Sequence, residues 1–294
     1  MTPLTSISSA DLDPEKKMKI TCLLENTTAR KDLTPKHGLS LFIETLDHTL
    51  LFDMGPDGTF LDNARCLGID PAKTDTAFIS HGHYDHGGGI PWFQKINKTA
   101  RIFMTQKAMG KFYAMAPGSA PRYIGLDHGA INPEKCEFIT TDHGVSDSLH
   151  LFTGFSSSGF IPRGNNVLYA QSSDKKKEID GFSHELALLI RENKNTVLVT
   201  GCSHSGIGNM LATVLDRTGL EKIDMVIGGF HLYNPVARLT ESNERLDSLA
   251  RELCLHPATR FYTGHCTGPD APAYLNKRIK NKLFTISTGD QIGI

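Results

Sequence analysis

Apolar and polar residues alternate with a short period near the start of the chain, which is the pattern of half-buried β-strands. The segments "MKITCLLEN", "LSLFIETL" and "HTLLFDMG" follow one another, with a tight polar turn between the last two, and predict a hairpin or meander. Helical spacing then occurs in "PDGTFLDNARCLGI", and Gly68 lies near the predicted end of that helix. The next apolar run, "DTAFIS", predicts a short buried strand that leads into a group of histidines.

Strand and helix patterns continue through the rest of the chain. Strands are predicted at "RIFMT", "LHLFTGF", "NVLYAQ", "ELALLIRE", "NTVLVTG", "IDMVIGG" and "TRFYTGH". One helix is predicted to begin near Gly89. Further helices are predicted at "QKAMGKFYAM", "HSGIGNMLATVLDRTG", "TESNERLDSLARELCL" and "APAYLNKRIKNKL". Since both halves have strands and then helices, we expect two sheets packed face to face with helices outside. Histidines that follow several strands would then meet along one edge.

Two stretches carry weaker patterns. The chain becomes rich in Pro, Gly and Asp within residues 112–148, and we expect this segment to be a flap inserted into a single domain that spans residues 1–294. The segment "DKKKEIDG" is predicted to be a solvated, charged loop.

The charge balance narrows the classes of partner. The chain has 294 residues, with 31 Lys and Arg against 32 Asp and Glu. This balance gives no general attraction to nucleic acid or membranes, and no apolar run approaches the roughly 20 residues of a membrane span. The first residues lack a secretory pattern, and no pair of the six cysteines has C-x-x-C spacing. We expect a cytoplasmic protein with a small-molecule substrate and with neither a nucleic-acid nor a membrane partner. The oligomeric state stays open.

The segment "ISHGHYDHGGGI", residues 79–90, gathers four side chains that bind metals. His81 and His83 occupy alternate positions of an extended loop, so that both can point at one ion. Asp85 and His86 come half a turn later and can address a neighbouring ion. Imidazole and carboxylate together suit zinc, and also iron or manganese. Four such residues directly after a buried strand favour a metal site over a surface loop.

The H-x-H-x-D-H spacing resembles the hallmark of the metallo-β-lactamase superfamily. The resemblance implies an α/β fold, the four-layer αββα sandwich, and two divalent metal ions, for which we expect zinc. The turn in "LLFDMG" would place Asp53 where it braces the metal loop. The implied ligands are His81, His83 and His204 for the first ion and Asp85, His86 and His265 for the second.

One departure from the superfamily leaves part of this ligand set open. The usual strand ends in "TGD", whose Asp bridges the metals, whereas this chain has "TGC". Cys202 is therefore either a thiolate ligand or a small core residue. The usual third histidine precedes this strand, where His184 and Glu185 occur, so that these two compete with His204. His231 has no place in the usual set, and we expect it to contact substrate or relay a proton.

A narrower resemblance extends from residue 25 to residue 268. The pieces "HGLSLFIE", "SHGHYDHGGG", "HELAL", "VTGCSHSGIGN", "GGFHL" and "GHCTG" are similar, in this order, to a branch of the superfamily. The branch is named after the dihydropterin ribofuranosyl-aminobenzene phosphate synthase. An acidic residue is expected in this branch at the position of His184.

These features predict a metal-dependent hydrolase with a dinuclear site, whose metal-bound hydroxide attacks a small phosphorylated, ester-like or cyclic substrate. Asp85 and His231 are the predicted catalytic residues, and Asp85 would orient the hydroxide and carry a proton. Ser205, near a helix start, is predicted to contact an anionic group. Arg163 either pairs with a phosphate or is an exposed loop arginine. The alternative is a dihydropterin-type transferase that displaces diphosphate with an arylamine, and the second alternative is a metal-containing binding protein without turnover.

Overall fold

Twenty strands and six α-helices form residues 18–294, the part of the chain that the computed structural model describes. The strands are β1 (Lys19–Leu24), β2 (Ser40–Glu44), β3 (Thr49–Phe52), β4 (Thr76–Phe78), β5 (Arg101–Thr105), β6 (Phe112–Ala114), β7 (Arg122–Tyr123), β8 (Cys136–Ile139), β9 (His143–Gly144), β10 (Leu149–Thr153), β11 (Leu168–Gln171), β12 (Lys177–Ile179), β13 (Leu186–Glu192), β14 (Asn195–Val199), β15 (Met225–Ile227), β16 (Tyr233–Asn234), β17 (Leu239–Thr240), β18 (Arg260–Thr263), β19 (Leu283–Thr285) and β20 (Gln291–Gly293). The α-helices are α1 (Thr59–Cys66), α2 (Tyr84–Gly87), α3 (Ile90–Ile96), α4 (Ile207–Thr218), α5 (Asn243–Cys254) and α6 (Ala271–Arg278). Short 3₁₀ helices occur at Pro71–Lys73, Gln106–Met109, Pro133–Lys135, Arg163–Val167 and His265–Thr267. Within these residues, no helix has the length and apolar character needed to cross a membrane.

Two seven-stranded sheets pack face to face. Their strand orders are β20-β1-β2-β3-β4-β5-β8 and β19-β18-β15-β14-β13-β10-β9. Phe52 and Phe78 from the first sheet share one buried apolar cluster with Leu188 and Val199 from the second. Removing this apolar surface from water holds the sheets together.

Helices cover the outer face of each sheet. Helices α1 and α3 bury apolar side chains against the first sheet, and α4, α5 and α6 do the same against the second. In α5 the spacing of Leu246, Leu249 and Leu253 makes one buried stripe, as expected for a helix that packs on one side. The layers are therefore helix, sheet, sheet and helix, which confirms the predicted αββα fold.

Parallel strands explain where the functional loops gather. Strands β3, β4 and β5 are parallel neighbours in one sheet, and β14, β15 and β18 are parallel neighbours in the other. The carboxyl ends of parallel strands meet at one edge of a sheet, so the loops after these strands lie together. Strands β14 and β15 are buried on both faces, which explains their nearly continuous apolar sequences.

The prediction of a helix at "QKAMGKFYAM" was wrong. Only a 3₁₀ turn forms at Gln106–Met109, and β6 follows it. In β6, Phe112 and Ala114 are buried while Tyr113 is half-buried, which is the alternation of a strand. Strand β6 pairs with β11, so tertiary pairing overrides the local helical spacing.

The charged segment "DKKKEIDG" was also predicted wrongly, because it contains β12, which pairs with the outer edge of β11. Its side chains point to solvent, which explains why the segment lacks an apolar signal. The predicted last helix ends early as well, at Arg278, since Leu283 already belongs to β19.

The segment predicted as a flap, residues 112–148, contributes to three sheets. Strands β6 and β7 lie in a small sheet of order β12-β11-β6-β7. Strand β8 forms the edge of the first large sheet beside β5, and β9 forms an edge of the second. Only the small sheet projects over the edge where the histidines gather, and it forms one wall of the cavity described below.

Candidate metal centre

The loop after β4 buries four of the predicted ligands. His81 and His83 lie in the approach to α2, and Asp85 and His86 lie within that helix. All four residues are at most 8% exposed. Gly82 packs its Cα against the carbonyl of Ala108, where a Cβ would approach within 2.3 Å, so no larger residue fits this turn of the loop.

The first cluster is made of His81, His83 and His204. The Nε2 atom of His81 lies 3.0 Å from Nδ1 of His83. The ring of His204, from the loop after β14, lies 5.1 Å from each of the other two rings, measured between centroids. One nitrogen from each residue lies within 4.8 Å of the others, a spacing that a single ion could bridge.

The second cluster is made of Asp85, His86, Cys202 and His265. The Nε2 atom of His86 lies 3.1 Å from Sγ of Cys202 and 3.2 Å from Nε2 of His265. The same nitrogen of His265 lies 3.3 Å from Oδ2 of Asp85. These residues come from three loops, so the second cluster exists only in the folded chain.

Four of the imidazoles are anchored by their outer nitrogen. Nδ1 lies 2.8 Å from Ser80 Oγ in His81 and 2.6 Å from Asp53 Oδ2 in His86. It lies 3.0 Å from Asn165 Oδ1 in His204 and 2.9 Å from Asn26 Oδ1 in His265. The partner atoms on Asp53, Asn165 and Asn26 are oxygens that can only accept. The Ser80 hydroxyl uses its hydrogen to donate to Asp53, so its oxygen accepts from His81. Each Nδ1 must therefore donate its hydrogen. The lone pair of a neutral ring is then left on Nε2, which faces the cluster.

The inward atoms fit a bound cation better than they fit one another. When both rings are neutral, Nε2 of His86, Nε2 of His265 and Oδ2 of Asp85 are all acceptors. Yet Nε2 of His265 lies only 3.2 Å from that of His86 and 3.3 Å from Oδ2 of Asp85. Nε2 of His204 is buried without a hydrogen-bond partner in the described residues. Facing lone pairs repel unless positive charge lies between them. Imidazole, carboxylate and thiolate donors suit zinc, and also iron or manganese.

Burial keeps the first cluster neutral. It lowers the pKa of His81 and His204 well below the ordinary value, and it lowers the pKa of His83 to about 3. Neighbouring imidazoles add to the effect, since charging one ring disfavours charging the next. Unprotonated rings keep their lone pairs available as ligands.

The second cluster has a different electrostatic balance. Burial alone would lower the pKa of His86, but the carboxylate of Asp53 raises it above the ordinary value. Burial alone would raise the pKa of Asp85, but the imidazoles of His265 and His37 hold it well below the usual range. Asp85 is therefore ionised at neutral pH.

Several residues of the site have left-handed backbone. The φ angles are 58° at Asp53, 55° at Ser203, 49° at His231 and 51° at His265. Residues other than glycine rarely adopt this conformation, because it strains the backbone. It is found mostly at functional sites, where the surrounding structure holds the strained residue in place. Each of these residues lies in a loop at a strand end of the site.

The contacts of His184 and Glu185 argue against a ligand role for either residue. Nδ1 of His184 accepts a hydrogen bond from the backbone of Gly82 at 3.1 Å, and its Nε2 lies 2.9 Å from Asp180 Oδ2. Glu185 accepts from the backbone of His204 at 2.7 Å and from Ser205. His184 thus holds the loop of His81 and His83, and Glu185 holds the loop of His204.

Comparison with known proteins agrees with this geometry. The family model of the metallo-β-lactamase superfamily matches residues 33–153. Tm1679, described as a metal-dependent hydrolase of the β-lactamase superfamily, superposes with a TM-score of 0.80 at 27% identity and covers 94% of this chain and 99% of its own. Residues 33–153 therefore match a metallo-β-lactamase superfamily domain, and the chain has the fold of that superfamily.

Two further proteins are similar to this chain. The 7,8-dihydropterin-6-methyl-4-(β-D-ribofuranosyl)-aminobenzene-5'-phosphate synthase of Methanocaldococcus jannaschii is 28% identical over 272 residues, which are 86% of this chain and 88% of the synthase. The metallo-β-lactamase fold protein YhfI of Bacillus subtilis covers 95% of this chain with a TM-score of 0.55 at 14% identity, a likeness of fold. The similarity to the synthase agrees with the branch that the motifs indicated.

A cavity of about 510 Å³ opens beside the two clusters. The imidazoles of His83, His204 and His265 form part of its wall, together with Cys202 and Asp85. The predicted substrate contact His231 also lines it. The ring of His231 lies 4.2 Å from that of His204, and neither of its nitrogens has a hydrogen-bond partner in residues 18–294.

Two predicted substrate contacts lie elsewhere. The Nε atom of Arg163 lies 3.2 Å from Glu241 Oε2, and the side chain does not line the cavity. The hydroxyl of Ser205 donates to Glu185 at 2.6 Å, so it supports the loop of His204 instead of facing the cavity. The local sequence suggested Arg163 and Ser205, but each forms a hydrogen bond with a carboxylate from another segment, Glu241 and Glu185 respectively.

Sequence analysis missed five residues of the site. His37 lies 3.2 Å from Asp85 through its Nε2 atom, and Cys266 and Arg122 line the cavity. Asn26 and Asn165 anchor ligand imidazoles. His37 and Cys266 lie inside the quoted motifs "HGLSLFIE" and "GHCTG", and Asn26 lies in the "EN" pair at residue 25 where the same resemblance begins, so a signal existed for these three. No such motif contains Asn165.

Proposed function

We propose that the chain is a metal-dependent hydrolase with a dinuclear site that acts on a small phosphorylated, ester-like or cyclic substrate. The observation that carries the proposal is the arrangement of His81, His86, His204 and His265, whose outer nitrogens donate to fixed oxygens while their inner nitrogens converge. Such outer partners set the ring orientation of metal ligands and raise their basicity. Tm1679, which is described as a metal-dependent hydrolase, supports the same class.

The ligand residues would divide between two ions. His81, His83 and His204 would hold the first, and Asp85, His86 and His265 would hold the second. Cys202 could contact either ion, because its Sγ lies near a nitrogen of His81 and near Nε2 of His86. Zinc suits this donor set, with iron or manganese as alternatives. When bound, divalent ions polarise a substrate oxygen and lower the pKa of a coordinated water.

Residues of the chain would supply orientation and proton transfer. Asp85 stays ionised, so its carboxylate can accept a hydrogen bond from an attacking water and orient it. His231 faces the cavity with both nitrogens free of partners in the described residues, so it can hold a proton or pass it to a leaving group. The buried imidazoles and the apolar cavity wall limit access of bulk water.

Metal analysis and a substrate panel test this proposal. Protein purified without chelator should contain about two ions per chain by mass spectrometry, as expected for paired-metal sites. It should hydrolyse at least one member of a panel of phosphodiesters, lactones and thioesters. Chelation should abolish turnover, and added zinc or manganese should restore it. Metal-replete protein that turns over no member of the panel would contradict hydrolysis and favour a binding protein without turnover.

A transferase is the second candidate, because a second cavity adjoins the first. This cavity, of about 810 Å³, shares Tyr84 with the metal cavity, and Trp92 and Tyr123 lie in its wall. Two adjoining cavities suit two substrates, and aromatic walls suit a planar ring. The name of the Methanocaldococcus jannaschii synthase points the same way.

The two candidates differ in their nucleophile, so one assay separates them. The transferase would release diphosphate from a hydroxymethyl-dihydropterin diphosphate only when an arylamine is present. The hydrolase would use water and need no amine. Diphosphate release that depends on the amine would replace our first proposal, and hydrolysis that ignores the amine would support it.

A further inference from the structure

One cationic side chain lines the metal cavity, and sequence reasoning did not select it. Arg122 is the only Arg or Lys among the cavity-lining residues within the described part of the chain. It lies in β7, on the small sheet that covers the edge of the sandwich. Arg163, the sequence candidate for the same task, is held by Glu241.

The backbone of Arg122 is tied to the metal loop. Strand β7 pairs with β6, with Arg122 opposite Ala114. The backbone N–H of Tyr84 donates to the carbonyl of Ile124 at 2.8 Å, and His83 forms a β-bridge with Gly125. Since these contacts flank Arg122 within a few residues, they set its distance from His83 in the first cluster.

The guanidinium group of Arg122 is oriented by Tyr84. Nη2 donates to the hydroxyl oxygen of Tyr84 at 3.2 Å, and the guanidinium carbon lies 5.7 Å from the centroid of the ring. The ion pairs between arginines and carboxylates within residues 18–294 do not include Arg122. A guanidinium has five N–H donors, so most of them remain available to a ligand. The Tyr84 hydroxyl accepts from Arg122 and can still donate its own hydrogen.

Part of the cavity wall is apolar. Its side chains are Ala114, Ile124, Leu168 and Val236, which pack in one cluster. A ligand that fills the cavity therefore meets the candidate metal ligands, apolar side chains and the exposed guanidinium of Arg122. A planar guanidinium pairs best with the two oxygens of a phosphate or carboxylate.

We propose that Arg122 and Tyr84 form an oxyanion subsite, which holds a phosphate or carboxylate group of the substrate away from the group that reacts. The inference deepens the proposed function and rests on it, because the metal centre defines the reacting end. The ligand has an apolar body with an oxyanion at one end. Arg122 donates to the oxyanion through its free N–H groups, and Tyr84 adds a neutral hydroxyl donor.

Binding of matched small probes tests the subsite. Phenyl phosphate, benzoate and benzyl alcohol would be titrated into the metal-loaded full chain by ligand-detected NMR. Arg122→Ala should weaken the binding of phenyl phosphate or benzoate about 10- to 100-fold, the range for hydrogen bonds to charged groups, and leave benzyl alcohol unchanged. Arg122→Lys should retain part of the affinity, because it keeps the charge but loses the planar fork. The two anions show which oxyanion the subsite prefers.

A matched control is Arg101→Ala, which removes an exposed arginine that pairs with Glu137 at the edge of the first sheet. It should bind all probes as the wild type does. If Arg122→Ala binds both anions with wild-type affinity, the anions sit on the metal ions alone and the inference is overturned. A general loss that includes benzyl alcohol would overturn it too, since a damaged cavity would explain that result.

The failure of this inference can be told apart from the failure of the proposed function. Arg122→Ala should keep its metal content and its turnover of an uncharged lactone, and raise KM only for substrates with an oxyanion. If the wild type turns over nothing but anion binding still depends on Arg122, the subsite stands and hydrolysis falls. If the lactone and a phosphorylated ester lose turnover equally in Arg122→Ala, the subsite falls and hydrolysis stands.

Discussion

The two ligand clusters share one histidine loop but differ in charge. The first cluster, His81, His83 and His204, contains only imidazoles, and burial keeps them neutral. The second cluster also contains the carboxylate of Asp85 and the thiol of Cys202. Asp53 contacts the outer nitrogen of His86 in this cluster. His37, whose side chain is 40% exposed, connects the second cluster to the cavity.

This difference in charge predicts that the two clusters bind their ions with different affinities. A cation in the first cluster would gain ligand lone pairs but no opposite charge, whereas a cation in the second would also be neutralised by carboxylate. We therefore expect the second cluster to bind its ion more tightly per ligand and to respond to changes in nearby charge. The first should respond mainly to the loss of a ligand or of burial.

The largest effect is expected from His81→Ala, because His81 has a nitrogen within ligand distance of both clusters. Loss of even an outer partner of a metal ligand costs about 10- to 100-fold in affinity, so loss of this ligand should cost at least about 100-fold. Metal content should fall below two ions per chain, and turnover should disappear. His256→Ala, in the turn after α5, should change neither quantity. If purified His81→Ala still contains two ions per chain, the idea that His81 contributes to both clusters is wrong.

Asp53→Ala should give the next largest effect, on stability. Asp53 accepts hydrogen bonds from the backbone and hydroxyl of Ser80 at 2.8 Å each, and it lies 2.6 Å from His86 Nδ1. Its removal leaves buried donors without partners, which should lower the free energy of unfolding by about 3 kcal/mol or more. Urea denaturation followed by fluorescence measures this change. Asp53→Asn keeps the shape and an oxygen acceptor, so it should lose less than the alanine variant.

Acid should destabilise the metal-free protein through the first cluster. Histidines titrate near pH 6.5 in the unfolded chain, whereas burial lowers the pKa of folded His83 to about 3. Between these values the unfolded state binds more protons, so the free energy of unfolding falls as pH falls. Each such group contributes up to about 1.4 kcal/mol per pH unit. The loss should begin below about pH 6.5 and, for His83, end near pH 3.

The variant His83→Gln sharpens this prediction. It removes one group with a lowered pKa, so urea denaturation at pH 7.5, 6.5, 5.5 and 4.5 should show a shallower loss of stability than in the wild type. His86 in the second cluster has a raised pKa and acts in the opposite direction near neutrality. An unchanged slope in His83→Gln would show that the first cluster does not cause the acid sensitivity.

The smallest effect is expected from His37→Ala, which tests the second cluster alone. His37 contacts Asp85 but is not needed to hold an ion in the first cluster. We expect about 10-fold weaker binding of one ion, the lower end for outer partners, and unchanged binding of the other. Competition with a chromophoric chelator measures both affinities. His48→Ala is the control, since His48 also faces a carboxylate, Asp75, but lies before the first residue of β3, at the end opposite to the carboxyl ends where the clusters lie. Equal weakening of both ions would contradict independent clusters.

Much of the fold and part of the candidate site followed from local patterns. Alternating apolar residues and short continuous apolar runs predicted most strands of both sheets, and helical spacing that includes Leu246, Leu249 and Leu253 predicted α5. The four ligand types in residues 81–86 were evident because one loop carries them all. Strand-end histidines at 204 and 265 could be named because the resemblance to the superfamily implies further ligands after later strands.

Only tertiary structure decided the remaining roles, because these depend on contacts between distant segments. Asn26 anchors His265 across 239 residues, and His184 supports Gly82 across 102. No local pattern reports such pairs. The same reason explains why β12, a charged strand that pairs with β11, was not predicted.

The sequence by itself determined the layers of the sandwich, the position of the histidine loop and the donor chemistry, because periodicity and residue type act locally. Tertiary structure decided which of the competing residues face the clusters, and it placed Arg122 instead of Arg163 in the cavity. The physical reason is that a buried side chain's role is set by what surrounds it, and in this fold its neighbours come from both halves of the chain.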